Sequence, residues 1–130
     1  MAKYAHDLVY DAAVDYIINN ANSLRVCSAD ILTGGVPDYA KVTGAAALTG
    51  PVAVIPGNFT KQDGVTSGRR ATMAPKIDIH VTLTGVADYV CLVNTTATRV
   101  LWATECVSQN LVSGNNVTVP TWDIEFRDPT

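Results

Sequence analysis

The spacing of apolar residues predicts a helix near the start of the chain. Between about residues 6 and 21, apolar side chains recur at the three- and four-residue intervals of one helix face: Tyr10, Val14, Ile17, Ile18 and Ala21. A second apolar line through Val9, Ala13 and Tyr16 widens this stripe. We expect this helix to pack over a sheet or over a neighbouring subunit.

Acidic residues support a helix start near residue 7. Asp7 is in position to act as the N-cap, where its carboxylate accepts a hydrogen bond from a first-turn amide. Asp11 lies near the positive end of the helix dipole, which favours negative charge.

After Asn22 the period changes from 3.6 to 2, which is typical of strands. Strands are predicted over residues 24–28, 41–49, 52–55, 76–84, 88–93, 99–107 and 117–126, with a bulge or bend at Pro120.

The clearest strand is 76–84, where one face is apolar and predicted to be core: Ile77, Ile79, Val81 and Leu83. Residues 88–93 and 99–107 predict an antiparallel hairpin with a loop over 94–98. Both faces of this hairpin carry apolar residues, so we expect it to be covered on both faces.

These elements predict a mainly β protein in a single domain over residues 1–130. Frequent turn signals between short strands favour an antiparallel β-sandwich or a jelly-roll-like barrel, with one N-terminal helix and a β-rich body over about 23–127.

Composition narrows the function. The 130 residues are 48% hydrophobic and only 16% charged, with a net charge of −3. A broad basic surface is therefore excluded, so we expect no direct contact with nucleic acid and none with anionic lipid. No uninterrupted apolar run reaches the length of a membrane span.

The sequence lacks a catalytic signature. There is no G-x-S-x-G motif and no phosphate-binding glycine pattern, and the histidines are His6 and His80. Asp78 and His80, two positions apart on one strand, could hold a metal or form an acid–base pair, but a solvated or interface-facing pair fits the spacing better. We predict a non-enzymatic protein without cofactor or metal.

The three cysteines, Cys27, Cys91 and Cys106, have no CxxC spacing. We interpret them as reduced thiols in or near a core.

Low charge favours a protein that functions inside an assembly. Its polar surface is built mainly from Thr, Ser and Asn, which cost less to desolvate than the Lys and Glu that are depleted from interface cores. An ordinary soluble β-domain with a Thr-rich surface fits the composition equally well. The local basic cluster of Arg69 and Arg70 with Lys61 is either a charged hairpin tip or an electrostatic anchor for an acidic protein partner.

Several segments resemble small virion proteins of tailed bacteriophages. They are the opening MAKYAHDLVYDAAVDYI (1–17), LRVCS (24–28), DGVTSGRR (63–70), CVSQ (106–109) and VTVPTWDIE (117–125). The resemblance implies a capsid decoration (cement) protein, a small β-rich subunit on the major capsid lattice, with no active site to carry over.

The resemblance also implies partners and a location. The partners would be the major capsid protein or other virion proteins, with a homo-oligomer (a dimer or trimer) on the capsid surface, made in the bacterial host cytoplasm. A head–tail adaptor, collar or tail subunit is the alternative. A third alternative is a carbohydrate-binding module in which Trp102 and Trp122 stack on sugars, although tryptophans in strands are more often core or interface residues.

Aromatic or positively charged character marks three predicted contact surfaces. The candidate protein-interface residues are Tyr10, Val14 and Ile17 on the helix, Arg69 and Arg70 in a loop, and Trp122 on the last strand.

Overall fold

The computed structural model describes residues 5–127. Its elements in chain order are α1 (Asp7–Asn20), β1 (Ser23–Cys27), β2 (Leu32–Thr33), β3 (Val36–Pro37), α2 (Tyr39–Val42), β4 (Val52–Ala53), a 3-10 turn (Pro56–Asn58), β5 (Phe59–Asp63), β6 (Arg69–Met73), β7 (Lys76–His80), β8 (Gly85–Asn94), β9 (Arg99–Leu111), β10 (Asn116–Val119) and β11 (Trp122–Phe126).

The described residues form two compact units, each discontinuous in sequence. The helix unit contains residues 5–20, 55–76 and 119–127, and the four-strand unit contains residues 21–54 and 77–118. Each unit has its own antiparallel sheet.

In the helix unit, α1 packs on an antiparallel sheet of order β11-β6-β5. Residues from both layers are buried: Tyr10, Val14 and Ile17 on α1, Ala71 and Met73 on β6, and Ile124 on β11. This arrangement buries the apolar stripe that the helical spacing predicts. The predicted helix and its packing over a sheet are confirmed, and the sheet belongs to the same chain.

The four-strand unit contains an antiparallel sheet of order β4-β1-β8-β9. One of its core clusters consists of Cys27, Ile31, Val42, Ala46, Cys91 and Val93. The hairpin β2–β3 turns at Gly34 and Gly35, whose φ angles of 61° and 80° match the left-handed conformation that tight hairpin turns require.

The predicted fold class is confirmed. The described residues form several antiparallel sheets with one long N-terminal helix and no closed barrel, consistent with the sandwich alternative. The predicted hairpin is also present, as β8 and β9, and it is longer than expected. Residues Val90 to Val93 of β8 are buried on both faces, as predicted, whereas β9 is the outer strand and stays half-exposed.

The predicted strand over 41–49 is wrong. Its start belongs to the short helix α2, for which Asp38 is the N-cap: its Oδ1 accepts from the Ala40 amide at 2.8 Å. Thr43 and Gly44 continue as a turn, so strand-like pairing is limited to isolated bridges at Ala47 and Thr49. The predicted strand over 52–55 is reduced to the two residues of β4.

The strict alternation over 76–84 does not give one continuous face. Ile79 and Val81 are buried, but Ile77 is 69% and Leu83 46% exposed. Asp78 has a φ of 53°, and this left-handed residue interrupts the pleat within β7. At Pro120 the predicted interruption is present, because β10 ends at Val119 and β11 starts a new pairing at Trp122.

Two details of the helix prediction are wrong. Asp7 is the first helical residue, and the preceding His6 caps it instead: its Nδ1 accepts from the Leu8 amide at 3.1 Å. The second apolar line does not widen the buried stripe, because Val9 and Tyr16 are 61% and 50% exposed. No helix in the described part of the chain is long and apolar enough to cross a membrane.

Candidate interaction surfaces

The predicted contact residues of the helix are core residues. Tyr10, Val14 and Ile17 are only 8%, 0% and 6% exposed, since they face β6 and β11. The prediction that these three side chains form a docking surface is therefore wrong, because they could be exposed only by unfolding the helix unit.

Arg69 is neutralised within the helix unit. Its Nε donates to Asp11 Oδ1 at 2.8 Å and its Nη1 donates to Asp63 Oδ1 at 2.6 Å. These hydrogen bonds, which Arg69 donates to Asp11 and Asp63, raise the pKa of Arg69 above its ordinary value. The side chain is 20% exposed, so it contributes little free charge to a partner.

Arg70 is engaged in the same way. Its Nη1 donates to Asp123 Oδ2 at 2.9 Å, and its Nε donates to the Asp63 carbonyl at 3.1 Å. Lys61, the third member of the basic cluster, pairs with Asp15 at 3.0 Å. The positive charge of the predicted electrostatic anchor is therefore largely neutralised by carboxylates of the same chain. Most of these carboxylates lie far from the basic cluster in sequence.

Trp122 begins β11 opposite Met73 and is half-buried. Its indole Nε1 is buried, and no hydrogen-bond acceptor contacts it among the described residues. A buried indole N–H without an acceptor is uncommon, which keeps Trp122 a candidate for contact with another molecule.

An exposed apolar surface of the helix unit includes Val9 and Tyr16, which the sequence pattern assigned to the apolar stripe of the helix. The outer face of α1 consists of Leu8, Val9, Ala12 and Tyr16, which are all exposed. Leu8, Ala12 and Tyr16 follow one another at four-residue intervals and form one stripe.

Beyond the first turn of α1, both acidic side chains form ion pairs with residues of the β11-β6-β5 sheet. Asp11 and Asp15 pair with Arg69 and Lys61. The helix is therefore apolar on two opposite faces, of which this unit covers one. A helix with apolar residues on both faces normally packs on both sides.

The four-strand unit presents a long outer strand. β9 is thirteen residues long and lies at the edge of the sheet, next to β8. It contains neither lysine nor proline, the residues that usually protect an edge strand from pairing with another chain. The register with β8 shifts twice, between Leu92 and Val93 and between Ala87 and Tyr89. These irregularities limit regular pairing along the edge.

A shallow apolar cleft of about 290 Å³ lies beside this strand. Its lining residues are Pro37, Val100, Leu101, Trp102 and Ala103. Nearby in sequence, Leu32 and Val36 of the β2–β3 hairpin are 43% and 64% exposed. The unit thus has apolar surface next to its edge strand.

The residues available for catalysis are dispersed. His80 is exposed, and its imidazole has no hydrogen bond or ion pair within residues 5–127. No group of three or more His, Cys, Asp or Glu side chains that could hold a metal occurs in the described structure. Asp78 and His80 both line an open groove of the four-strand unit.

Cys27, Cys91 and Cys106 are free thiols, the first two buried. The pKa of Cys91 is raised by its hydrogen bond with Cys27 and by burial. Burial also raises the pKa of Cys106, and the nearby Asp88 carboxylate adds to the effect. Raised pKa values leave little reactive thiolate at these two positions near neutral pH.

Comparison with protein-family models, with curated proteins and with solved structures finds no match for this chain.

Proposed function

We propose that the chain is a non-enzymatic structural protein of a tailed-bacteriophage virion, a capsid decoration (cement) protein that binds the major capsid lattice and stabilises the head. The observation that carries the proposal is the outer face of α1, an exposed apolar stripe on a helix of fourteen residues. The resemblance of five sequence segments to small virion proteins supplies the biological setting.

The physical basis is burial of apolar surface across boundaries between capsid subunits. Twelve large apolar side chains, spread over both units, are exposed among the described residues. Exposed apolar area becomes stabilising when a partner covers it, and shell symmetry repeats each contact many times. Attachment as a dimer or trimer would raise occupancy further through multivalency.

Charge supports the same proposal. The chain has few charged residues, and four of its bases, Lys61, Arg69, Arg70 and Lys41, are held in ion pairs with its own acids. Binding of the outer face of α1 to a lattice would therefore require little desolvation of unpaired charge.

The alternative is a different virion role, as a head–tail adaptor, collar or tail subunit, which would have the same composition. The carbohydrate-binding alternative has less support, because Trp102 and Trp122 are both half-buried and present no pair of open aromatic platforms.

The test is co-sedimentation with purified heads of the phage that encodes the chain, prepared without this protein. Leu8→Glu and Val9→Glu place charge in the outer face of α1. A carboxylate in the first turn favours the helix dipole, so both variants should fold. We expect each variant to lose most of its binding to heads.

Thr118→Glu, an equal charge at an exposed position of β10, is the matched control and should bind like the original chain. Equal binding by all variants would refute the assignment of the outer face of α1. Failure of the unmodified chain to bind heads would refute the decoration role itself.

A further inference from the structure

A groove in the four-strand unit opens where two paired segments separate. Thr49 and Val81 form an antiparallel bridge, and the Thr82 amide donates to the Leu48 carbonyl at 2.9 Å. Continuing this register would place Ala53 opposite Ile77. Instead β4 pairs with β1, and β7 pairs with β10.

The separation begins at Gly50 and Pro51. Proline has no backbone N–H, so Pro51 cannot donate to a neighbouring strand. The resulting groove has a volume of about 350 Å³ and is lined by Gly50, Pro51, Val52, Ala53, Ile77, Asp78, Ile79, His80 and Thr82. This volume is at the lower end of the range for ligand pockets, ~300–1,000 Å³.

Both sides of the groove are strands that pair on one side only. Within residues 5–127, β4 has β1 as its single hydrogen-bonded neighbour, and β7 has β10. Each strand therefore has an edge whose backbone groups are not used in a sheet. An extended peptide segment is the ligand whose own N–H and C=O groups match such edges.

Asp78 gives the groove its chemical preference. Its side chain is exposed, and the carboxylate makes no hydrogen bond or ion pair with the described residues. It is also the one acidic residue among the lining residues, which include no lysine or arginine. Its φ of 53° is a conformation that non-glycine residues adopt at a cost, and such residues cluster at functional sites.

Apolar groups lie beside this carboxylate. Ile77 is 69% exposed although it lies within a strand, and Pro51 forms part of the opposite wall. A segment that combines a basic side chain with an apolar neighbour would satisfy both features.

We propose that this groove binds an extended segment of a partner protein, whose backbone pairs with the edges of β4 and β7 and whose lysine or arginine pairs with Asp78. An apolar side chain of the same segment packs against Ile77 and Pro51. The inference does not depend on the virion role, because the groove and its chemistry belong to the four-strand unit.

The experiment pans a random heptapeptide phage-display library on the full chain and measures binding of the enriched peptides, made synthetically, by NMR titration. We expect enriched peptides to contain lysine or arginine beside apolar residues. Their binding should shift the amide signals of Val52–Ala53 and Ile77–His80. N-methylation of the central peptide bonds should abolish binding, because it removes the donors that pair with the edges.

Asp78→Asn is the decisive variant. Asparagine tolerates left-handed φ, so the fold should persist, while the ion pair is lost. We expect peptide affinity to fall about two- to five-fold, the effect of an exposed ion pair. Asp30→Asn removes another exposed carboxylate of the same unit, one that pairs with Lys41 outside the groove, and it should leave peptide affinity unchanged.

Enriched peptides that shift signals elsewhere, or that bind Asp78→Asn as well as the original chain, would overturn the proposal, as would a library that yields no binders. The Leu8→Glu variant separates this result from the virion proposal. It should lose binding to heads and keep binding to the peptide.

Discussion

Glu125 organises the loop between β5 and β6. Its Oε1 accepts from the Val65 amide at 2.6 Å, and its Oε2 accepts from Arg127 Nε at 3.2 Å. The loop lies close to β11, the strand that contains Glu125. A Cβ on Gly68, whose φ is 71°, would come within 1.8 Å of the Phe126 carbonyl oxygen. Glycine is therefore required at position 68. The carboxylate of Glu125 holds the loop in place by accepting hydrogen bonds from its backbone amides.

The charge on Glu125 should make stability depend on pH. Partial desolvation acts to raise its pKa, but the hydrogen bonds from Arg127, Val65 and Thr66 outweigh it and hold the pKa below its ordinary value. A lowered folded-state pKa stabilises the fold above the ordinary value near 4.3. This stabilisation is lost as the pH falls through the folded-state value.

We expect the urea midpoint to fall between pH 5 and pH 3, and to fall less steeply in Glu125→Gln. The amide keeps the shape and one acceptor oxygen but does not titrate in this range. Asp38, whose pKa is lowered by hydrogen bonds from Thr33 and Ala40, supplies dependence that both proteins share. Identical pH profiles for the two proteins would contradict this role of Glu125.

At the scale of elements, α1 has two apolar faces with different roles. The face containing Ile17 is buried in the helix unit, while the outer face is exposed at Leu8 and Val9. Both faces have apolar residues at helical spacing, so periodicity alone does not tell which of them the chain covers itself.

Alanine substitutions should separate the two faces. Ile17→Ala leaves a cavity in the core and should lower the unfolding free energy by about 2–5 kcal/mol. Leu8→Ala removes a side chain that is 70% exposed, and it should change that energy by less than about 0.5 kcal/mol. Urea unfolding measures both, and similar losses for the two variants would contradict the assignment of the faces.

The sequence predicted elements best where local pattern and tertiary packing agree. The first helix and the β8–β9 hairpin follow from the spacing of apolar residues. The strand over 41–49 failed because the Asp38 cap starts a helix that the apolar pattern does not reveal. The single face over 76–84 failed at its two ends, because the left-handed Asp78 interrupts the pleat beside the exposed Ile77 and the strand ends at His80, before the exposed Leu83.

The predicted site depended on contacts that no local pattern contains. Arg69 and Arg70 were recognised as a basic cluster, but their partners Asp11 and Asp123 lie more than fifty positions away in sequence. Tyr10, Val14 and Ile17 were recognised as an apolar stripe, and the sheet that covers them is assembled from β6 and β11. The groove beside Asp78 depends on a separation of strands at Gly50 and Pro51, and the local pattern of neither segment shows that the two face each other.

At the scale of the whole molecule, the proposed function requires that other proteins cover the exposed apolar surfaces. The charges of the chain are few and several are paired internally, whereas large apolar side chains stay exposed on regular elements of both units. Such surfaces are costly in a free monomer and favourable in an assembly.

The most direct test counts the copies of this chain in purified virions of the phage that encodes it, by quantitative mass spectrometry against the major capsid protein. The decoration role predicts hundreds of copies per particle, because each capsid subunit contact repeats with shell symmetry. About a dozen copies would indicate a ring-shaped connector instead. Absence of the chain from the particle would contradict the virion role altogether.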